Sequence, residues 1–170
     1  MENFSDAGSV QIVPFDRKIN RNDFSSGNLN LDQWLKKYSG QSEDRGQSRT
    51  FFAINKNSYE LLGYYASAFG EVSSSEADEN LGESRYSRPA YLIARLAIDS
   101  RWQGYGIGRL LLFDALDRAT RASSLAGLEL VIVDAIDEQV VKFYEDVGFM
   151  PFSPGSTRLF ITMKRVLRSS

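Results

Sequence analysis

The chain has 170 residues, 42% of them hydrophobic and 25% charged, with a formal net charge of −2 and a pI of about 5.3. That length supports one domain with its own core, so residues 1–170 are expected to form a single domain. Neither cysteine nor histidine occurs, which excludes disulfides, the usual metal ligands, a thiol nucleophile and the commonest general base. Met1 to Asp6 is acidic and lacks the positive-then-apolar order of a signal peptide. No apolar run reaches the length of a membrane span. A cytoplasmic protein without a membrane partner or a metal is expected.

In chain order, Val10 to Phe15 alternates as a strand does. Leu31, Trp34, Leu35 and Tyr38 form the stripe of an amphipathic helix, with Asn30 placed to cap it. Thr50 to Ile54 and Leu61 to Phe69 read as two strands, joined by a turn at Lys56, Asn57 and Ser58. The polar stretch from Ser73 to Ser87 reads as a long exposed loop. It falls in an acidic region (Glu71, Glu76, Asp78, Glu79 and Glu83), whereas Arg158, Lys164, Arg165 and Arg168 make the C-terminal end basic. Ala90 to Asp99 reads as a buried strand and Arg109 to Ala122 as a helix apolar over most of its circumference, which must lie against a sheet. Glu129 to Ala135 reads as a continuous buried-type strand. Asp137 caps a helix that Gly148 ends, and Arg158 to Lys164 reads as the last strand. The order predicts an α+β (mixed α/β) protein whose mixed sheet holds a βαβ unit.

Between the buried strand and the apolar helix lies Arg101-Trp102-Gln103-Gly104-Tyr105-Gly106-Ile107-Gly108. A helix N-terminus offers unpaired N–H groups and the positive end of a dipole to an anion. Glycines at alternate positions let a diphosphate approach the backbone. No Gly-Lys-Ser/Thr follows, so this is not a P-loop, and Arg109 stands where a dinucleotide fingerprint needs its third glycine. Taken alone, the turn could also be a strand–helix connection with no ligand, the lesser of the two readings.

Arg101, Gly104 and Gly106, following the strand residues Leu96-Ala97-Ile98-Asp99, resemble the Arg/Gln-x-x-Gly-x-Gly/Ala turn of the GNAT acetyltransferases. Phe143, Tyr144, Gly148 and Phe149 match that family's Phe-Tyr-x-x-x-Gly-Phe, and the resemblance covers Thr50 to Phe149. Asp137 departs from it, because the family often carries Asn there near the cofactor. The resemblance implies the GNAT fold: a central, mostly antiparallel mixed sheet with a splayed parallel strand pair, flanked by helices. It implies acetyl-CoA as donor, lying along a splay between the strand ending at Ile98 and the strand ending at Ala135. Backbone N–H groups of Gln103, Gly104, Tyr105, Gly106, Ile107, Gly108 and Arg109 would hold the pyrophosphate. Main-chain groups of Leu96, Ala97 and Ile98 would align the pantetheine, with Phe143 beside the cofactor. Tyr144 would protonate the departing thiolate.

The acceptor amine must be neutral to attack. An α-amino group with pKa near ~8 reaches that state more readily than a lysine near ~10.4. Without histidine, only carboxylates such as Glu71 and Asp99 remain as candidate bases. Phe24 to Gly27, Leu31, Trp34-Leu35, Gln47 to Phe51, Gly63-Tyr64-Tyr65 and Ala94 to Asp99 resemble one GNAT branch, with a likeness running from Val10 to Met163. These are the toxins of toxin–antitoxin modules, which acetylate the α-amine of aminoacyl-tRNA. The branch usually has Cys at the position of Ser26 and Gly at that of Ala94. It implies aminoacyl-tRNA as substrate, a ribbon-helix-helix antitoxin as partner and a homodimer. Arg95, a charge inside an apolar strand, is expected at the acceptor side; otherwise it is an edge arginine that snorkels or pairs with a structural acid. A housekeeping acetyltransferase acting on a small amine or a protein N-terminus, and a non-catalytic module, are the competing readings.

Overall fold

The computed structural model describes residues 9–73, 81–82, 84 and 86–169. Most of the serine-rich acidic stretch, including Glu76, Asp78, Glu79 and Glu83, lies outside the described residues. The elements are β1 (Val10–Pro14), α1 (Leu29–Gln33), a π-helical turn (Trp34–Tyr38), α2 (Ser39–Arg45), β2 (Arg49–Asn55), β3 (Leu61–Val72) and β4 (Arg88–Ile98). After a 3-10 turn (Ser100–Trp102) come α3 (Ile107–Ser123), β5 (Leu130–Asp134), α4 (Glu138–Val147), β6 (Met150–Pro151), β7 (Arg158–Thr162) and α5 (Met163–Arg168). Among the described residues the seven strands form one sheet in the order β1-β2-β3-β4-β5-β7-β6. β4 and β5 run parallel; β1–β2, β2–β3, β5–β7 and β6–β7 run antiparallel. This is the mixed, mostly antiparallel sheet with flanking helices that the sequence predicts.

The chain divides into two compact units, the first comprising Met1–Ser67 with Arg95–Asp114 and the second Ala68–Ala94 with Ala115–Ser170. In the first, Phe24, Leu35, Phe52, Ile54, Leu61, Tyr64 and Ala97 share a core cluster. Leu35 and Tyr64 are fully buried, each stabilising the fold by roughly 1.5–3 kcal/mol. In the second, Val72, Ala90, Leu130, Ile132 and Phe160 form another cluster. The continuous apolar run of β5 is explained by its position: Leu130 to Val133 are all buried in a strand paired on both edges.

Three local expectations need correction. The helix after β1 is capped by Asn28, whose side chain accepts from the Leu31 N–H at 3.0 Å, not by Asn30. Its stripe does not continue through Tyr38 either. The π-helical turn inserts an extra residue, which rotates the following face by about one residue step. Ser39, Gly40 and Ser42 are therefore buried while Tyr38 is exposed. At the other end, the last strand stops at Thr162. The Thr162 hydroxyl accepts from the Arg165 N–H at 3.2 Å and starts α5, so Met163 and Lys164 are helical. By contrast, Asp137 caps α4 through the Val140 N–H at 2.9 Å and Gly148 ends it at φ 121°, as the sequence suggests.

Candidate active site

The parallel register of β4 with β5 covers Ala90↔Leu130 to Ile93↔Val133, and β4 continues to Ile98. Its last residues are held from β3. The Asp99 N–H donates to the Leu62 carbonyl at 2.9 Å, and Gly63 packs directly on the strand. A β-carbon on Gly63 would stand 2.8 Å from Ile98 Cδ1, 3.0 Å from the Ala97 carbonyl oxygen and 3.2 Å from Leu111 Cδ1. Glycine is thus what allows β3 to approach the end of β4. Ala97 is buried, with Leu96 and Ile98 half-buried.

Beyond β4 the chain turns on Asp99. This carboxylate is 2% exposed and caps the 3-10 turn. It accepts from the Arg101 N–H (3.0 Å), Arg101 Nε (3.1 Å), Arg101 Nη2 (3.4 Å) and the Ser25 N–H (3.2 Å). Burial works to raise the Asp99 carboxyl, but the Arg101 and Ser25 donors outweigh it and hold it below the usual carboxylate range. Asp99 is therefore ionised and saturated with donors, unsuited to be the base that its position in sequence allowed. Arg101 also pairs with Glu60 at 2.9 Å, so its charge is spent on two carboxylates.

A loop from Phe24 to Asn28 is stitched to this turn. Ser100 donates to the Ser25 carbonyl through its N–H (2.8 Å) and its hydroxyl (3.1 Å). The Gln103 amide donates to the carbonyls of Ser26 (2.9 Å) and Ile98 (3.0 Å). Buried Asp32 accepts from the Ser26 hydroxyl at 2.7 Å and from its N–H at 3.0 Å. A serine at position 26 thus keeps a firm hydrogen bond to the helix that carries Asp32.

With the turn anchored, its glycines are left for the backbone. Gly104 (φ 85°) and Gly106 (φ 83°) are left-handed, and a β-carbon at either would meet no atom within 4 Å. Conformation, not packing, requires glycine there, and the backbone is open to an approaching group. α3 begins at Ile107, its 17 residues aligning their dipoles toward this point. Ile107 is buried and fixes the helix start; Gly108 is half-buried, and Gln103, Tyr105 and Arg109 are exposed. These residues fit a diphosphate: a backbone that is open at Gly104 and Gly106, leading into a helix N-terminus.

Arg95 is half-buried in the same unit, its guanidinium 4.3 Å from the centroid of the Trp34 ring. Trp34 stacks on Tyr64, with centroids 6.0 Å apart and 14° between planes. The Tyr64 hydroxyl donates to the Leu31 carbonyl at 2.7 Å. Burial pushes the Tyr64 phenol up, against the opposing pull of Arg95, and Asp32 adds to the rise. Burial lowers Arg95, which the tyrosine partly offsets.

The second unit contains Phe143 and Tyr144. Tyr144 is 3% exposed, its ring 5.1 Å from Phe143 and 5.6 Å from Phe149. Burial raises its phenol well above the ordinary value, and the Asp134 carboxylate adds to this. Among the described residues its hydroxyl has no hydrogen-bond partner. Tyr144 is thus protonated throughout the neutral range. No group of three or more acidic residues that could hold a metal ion occurs among the described residues.

A mixed sheet with one parallel pair, leading through a left-handed glycine turn into a long helix, is the frame of an acyltransferase that takes acetyl-CoA. The chain belongs to the GNAT acetyltransferases: the family described as acetyltransferase (GNAT) domain matches residues 35–164. A Mycobacterium tuberculosis protein named tRNA-acetylating toxin is 32% identical over 142 residues, covering 83% of this chain and 84% of its own. A Sinorhizobium fredii protein named probable toxin TacT is 26% identical over 166 residues, covering 91% of this chain and 92% of its own. Among solved structures, AtaT complexed with acetyl-methionyl-tRNAfMet shares the fold, with a TM-score of 0.83 at 21% identity over 94% of this chain and 98% of that one.

Proposed function

We propose that this chain transfers the acetyl group of acetyl-CoA to the α-amine of aminoacyl-tRNA and so acts as a translation-blocking toxin, residues 1–170 serving as one GNAT domain. The observation that carries the reading is the 32% identity with the M. tuberculosis tRNA-acetylating toxin over 84% of that protein. The acceptor chemistry agrees with it. Asp99 is saturated and histidine is absent, so an amine with pKa near ~8 suits this chain better than lysine near ~10.4.

Acetyl-CoA supplies the activated acyl group. The N–H groups of Gln103 to Arg109 bind its pyrophosphate, and the main chain of Leu96, Ala97 and Ile98 orients its pantetheine, with Phe143 as an apolar neighbour. Tyr144 holds a proton at its hydroxyl for the departing sulfur. Arg95 serves the acceptor side. An AtaT mutant has been solved bound to the C-terminus of the antitoxin AtaR, and AtaTR with acetyl-CoA. By analogy this chain takes an antitoxin; we further propose, from the family resemblance, that the antitoxin is small and of the ribbon-helix-helix type, that the chain forms a homodimer, and that it works in the cytoplasm, where charged tRNA is found. Among the described residues no helix is long and apolar enough to cross a membrane.

The test is label transfer from acetyl-CoA to charged tRNA, followed by mild alkaline release and identification of the amino acid. The reading expects N-acetyl amino acid from charged tRNA and none from uncharged tRNA. Label on a small free amine, with none on charged tRNA, would leave a general amine acetyltransferase instead.

A further inference from the structure

The two arginines at the end of β4 are held in opposite ways. Arg101 is gripped by Asp99 and Glu60. Arg95 has no carboxylate in ion-pair reach among the described residues, and its guanidinium is held by the face of Trp34. A ring quadrupole attracts a cation without neutralising it. An arginine kept in place this way retains a full charge and a planar donor fork for an incoming anion. The clamp is itself braced. Trp34 stacks on fully buried Tyr64, whose hydroxyl is tied to the Leu31 carbonyl, and the edge of Phe24 packs on Tyr64 at 5.7 Å. Asp32, the nearby buried acid, is occupied by Ser26.

We infer that Trp34 is a positioning residue that presents Arg95, unneutralised, to a phosphodiester at the acceptor end of the RNA substrate. The inference rests on the aminoacyl-tRNA reading and deepens it by naming the contact. Trp34 touches no reacting atom; it acts through Arg95.

The experiment measures steady-state acetylation by the full chain of two acceptors, charged tRNA and aminoacyl-adenosine, which has no phosphodiester. Trp34→Leu keeps an apolar side chain without the ring quadrupole and should raise KM for charged tRNA by about 5- to 30-fold, with kcat and acetyl-CoA affinity near wild type. Trp34→Phe, which restores a ring face, should recover most of that loss. Arg95→Gln should mimic Trp34→Leu and, being half-buried, guards against failure of the leucine variant to fold. On aminoacyl-adenosine the two Trp34 variants should lose far less than on charged tRNA, because no phosphodiester is present for Arg95 to meet. Equal losses on both acceptors, an unchanged KM for charged tRNA, or a matching loss of acetyl-CoA affinity would each overturn the inference. A wild-type chain inactive on charged tRNA would overturn the functional reading and this inference with it; an active wild type with unaffected variants would overturn the inference alone.

Discussion

Gly63→Ala tests how the donor side is built. The new β-carbon would lie 2.8 Å from Ile98 Cδ1, 3.0 Å from the Ala97 carbonyl oxygen and 3.2 Å from Leu111 Cδ1. The Ile98 methyl can rotate aside. The Ala97 oxygen is main chain and moves only with the strand, and Leu111 is fully buried. Overpacking of this kind costs about 1–3 kcal/mol. With a urea m-value of about 2 kcal/mol/M, the unfolding midpoint should fall by about 0.5–1.5 M. The same shift moves the Ala97–Ile98 main chain, which is assigned to the pantetheine. A penalty of roughly 1.4 kcal/mol there would weaken acetyl-CoA about tenfold. Gly127→Ala is the control, since a β-carbon there meets nothing within 4 Å. Urea titration and calorimetry with acetyl-CoA read both effects. If Gly63→Ala matched wild type in midpoint and affinity, close packing of β3 on β4 would not be what positions the strand end.

Gly106→Glu should abolish acetyl-CoA binding in a folded protein, because it forces a side chain onto a left-handed residue and puts a carboxylate where the pyrophosphate is assigned; calorimetry reads it. Tyr144→Phe should leave acetyl-CoA affinity near wild type and cut turnover by roughly 10²-fold or more, the usual scale of proton donation. Because burial raises the Tyr144 phenol, the wild-type pH–rate profile should rise as the acceptor amine loses its proton and show no fall from tyrosine ionisation up to pH ~10. Asp99→Asn should destabilise the fold by about 2 kcal/mol through loss of charged hydrogen bonds. The folded Asp99 carboxyl lies below its unfolded value, so its stabilisation is present above pH ~4 and fades as pH falls through the folded pKa. Wild-type stability should therefore drop below pH 4 more steeply than that of the variant, as followed by urea midpoints.

Periodicity marks the strands well, because β2, β4 and β5 carry apolar runs that neither loops nor short helices tolerate. Asp137 and Gly148 are legible as the ends of α4, since their roles depend on residues only three or four positions away. Long-range relations are not legible in this way. The saturation of Asp99 comes partly from Ser25, 74 residues earlier, and the aromatic hold on Arg95, a strand residue, comes from Trp34 in the π-helical turn. The π-helical turn is hidden for another reason. One extra residue in a turn leaves the spacing of Leu31, Trp34 and Leu35 intact and resets only the face presented by Tyr38 and the residues of α2. The glycine turn stands out because two left-handed residues in close succession need glycine, whereas the reason for Gly63 emerges only when β4 lies beside it.

The central claim is that the acceptor is charged tRNA, bound through phosphate contacts by a chain that is acidic as a whole. The decisive measurement is the initial acetylation rate against salt concentration, at subsaturating acceptor, with charged tRNA and a small free amine run in parallel. Each phosphate contact adds nearly one unit to the log–log slope. The rate on charged tRNA should therefore fall steeply between 50 and 200 mM salt (roughly tenfold or more for two or more contacts), while the rate on the free amine changes little. Absence of acetylation on charged tRNA, or the same shallow slope for both acceptors, would contradict the account.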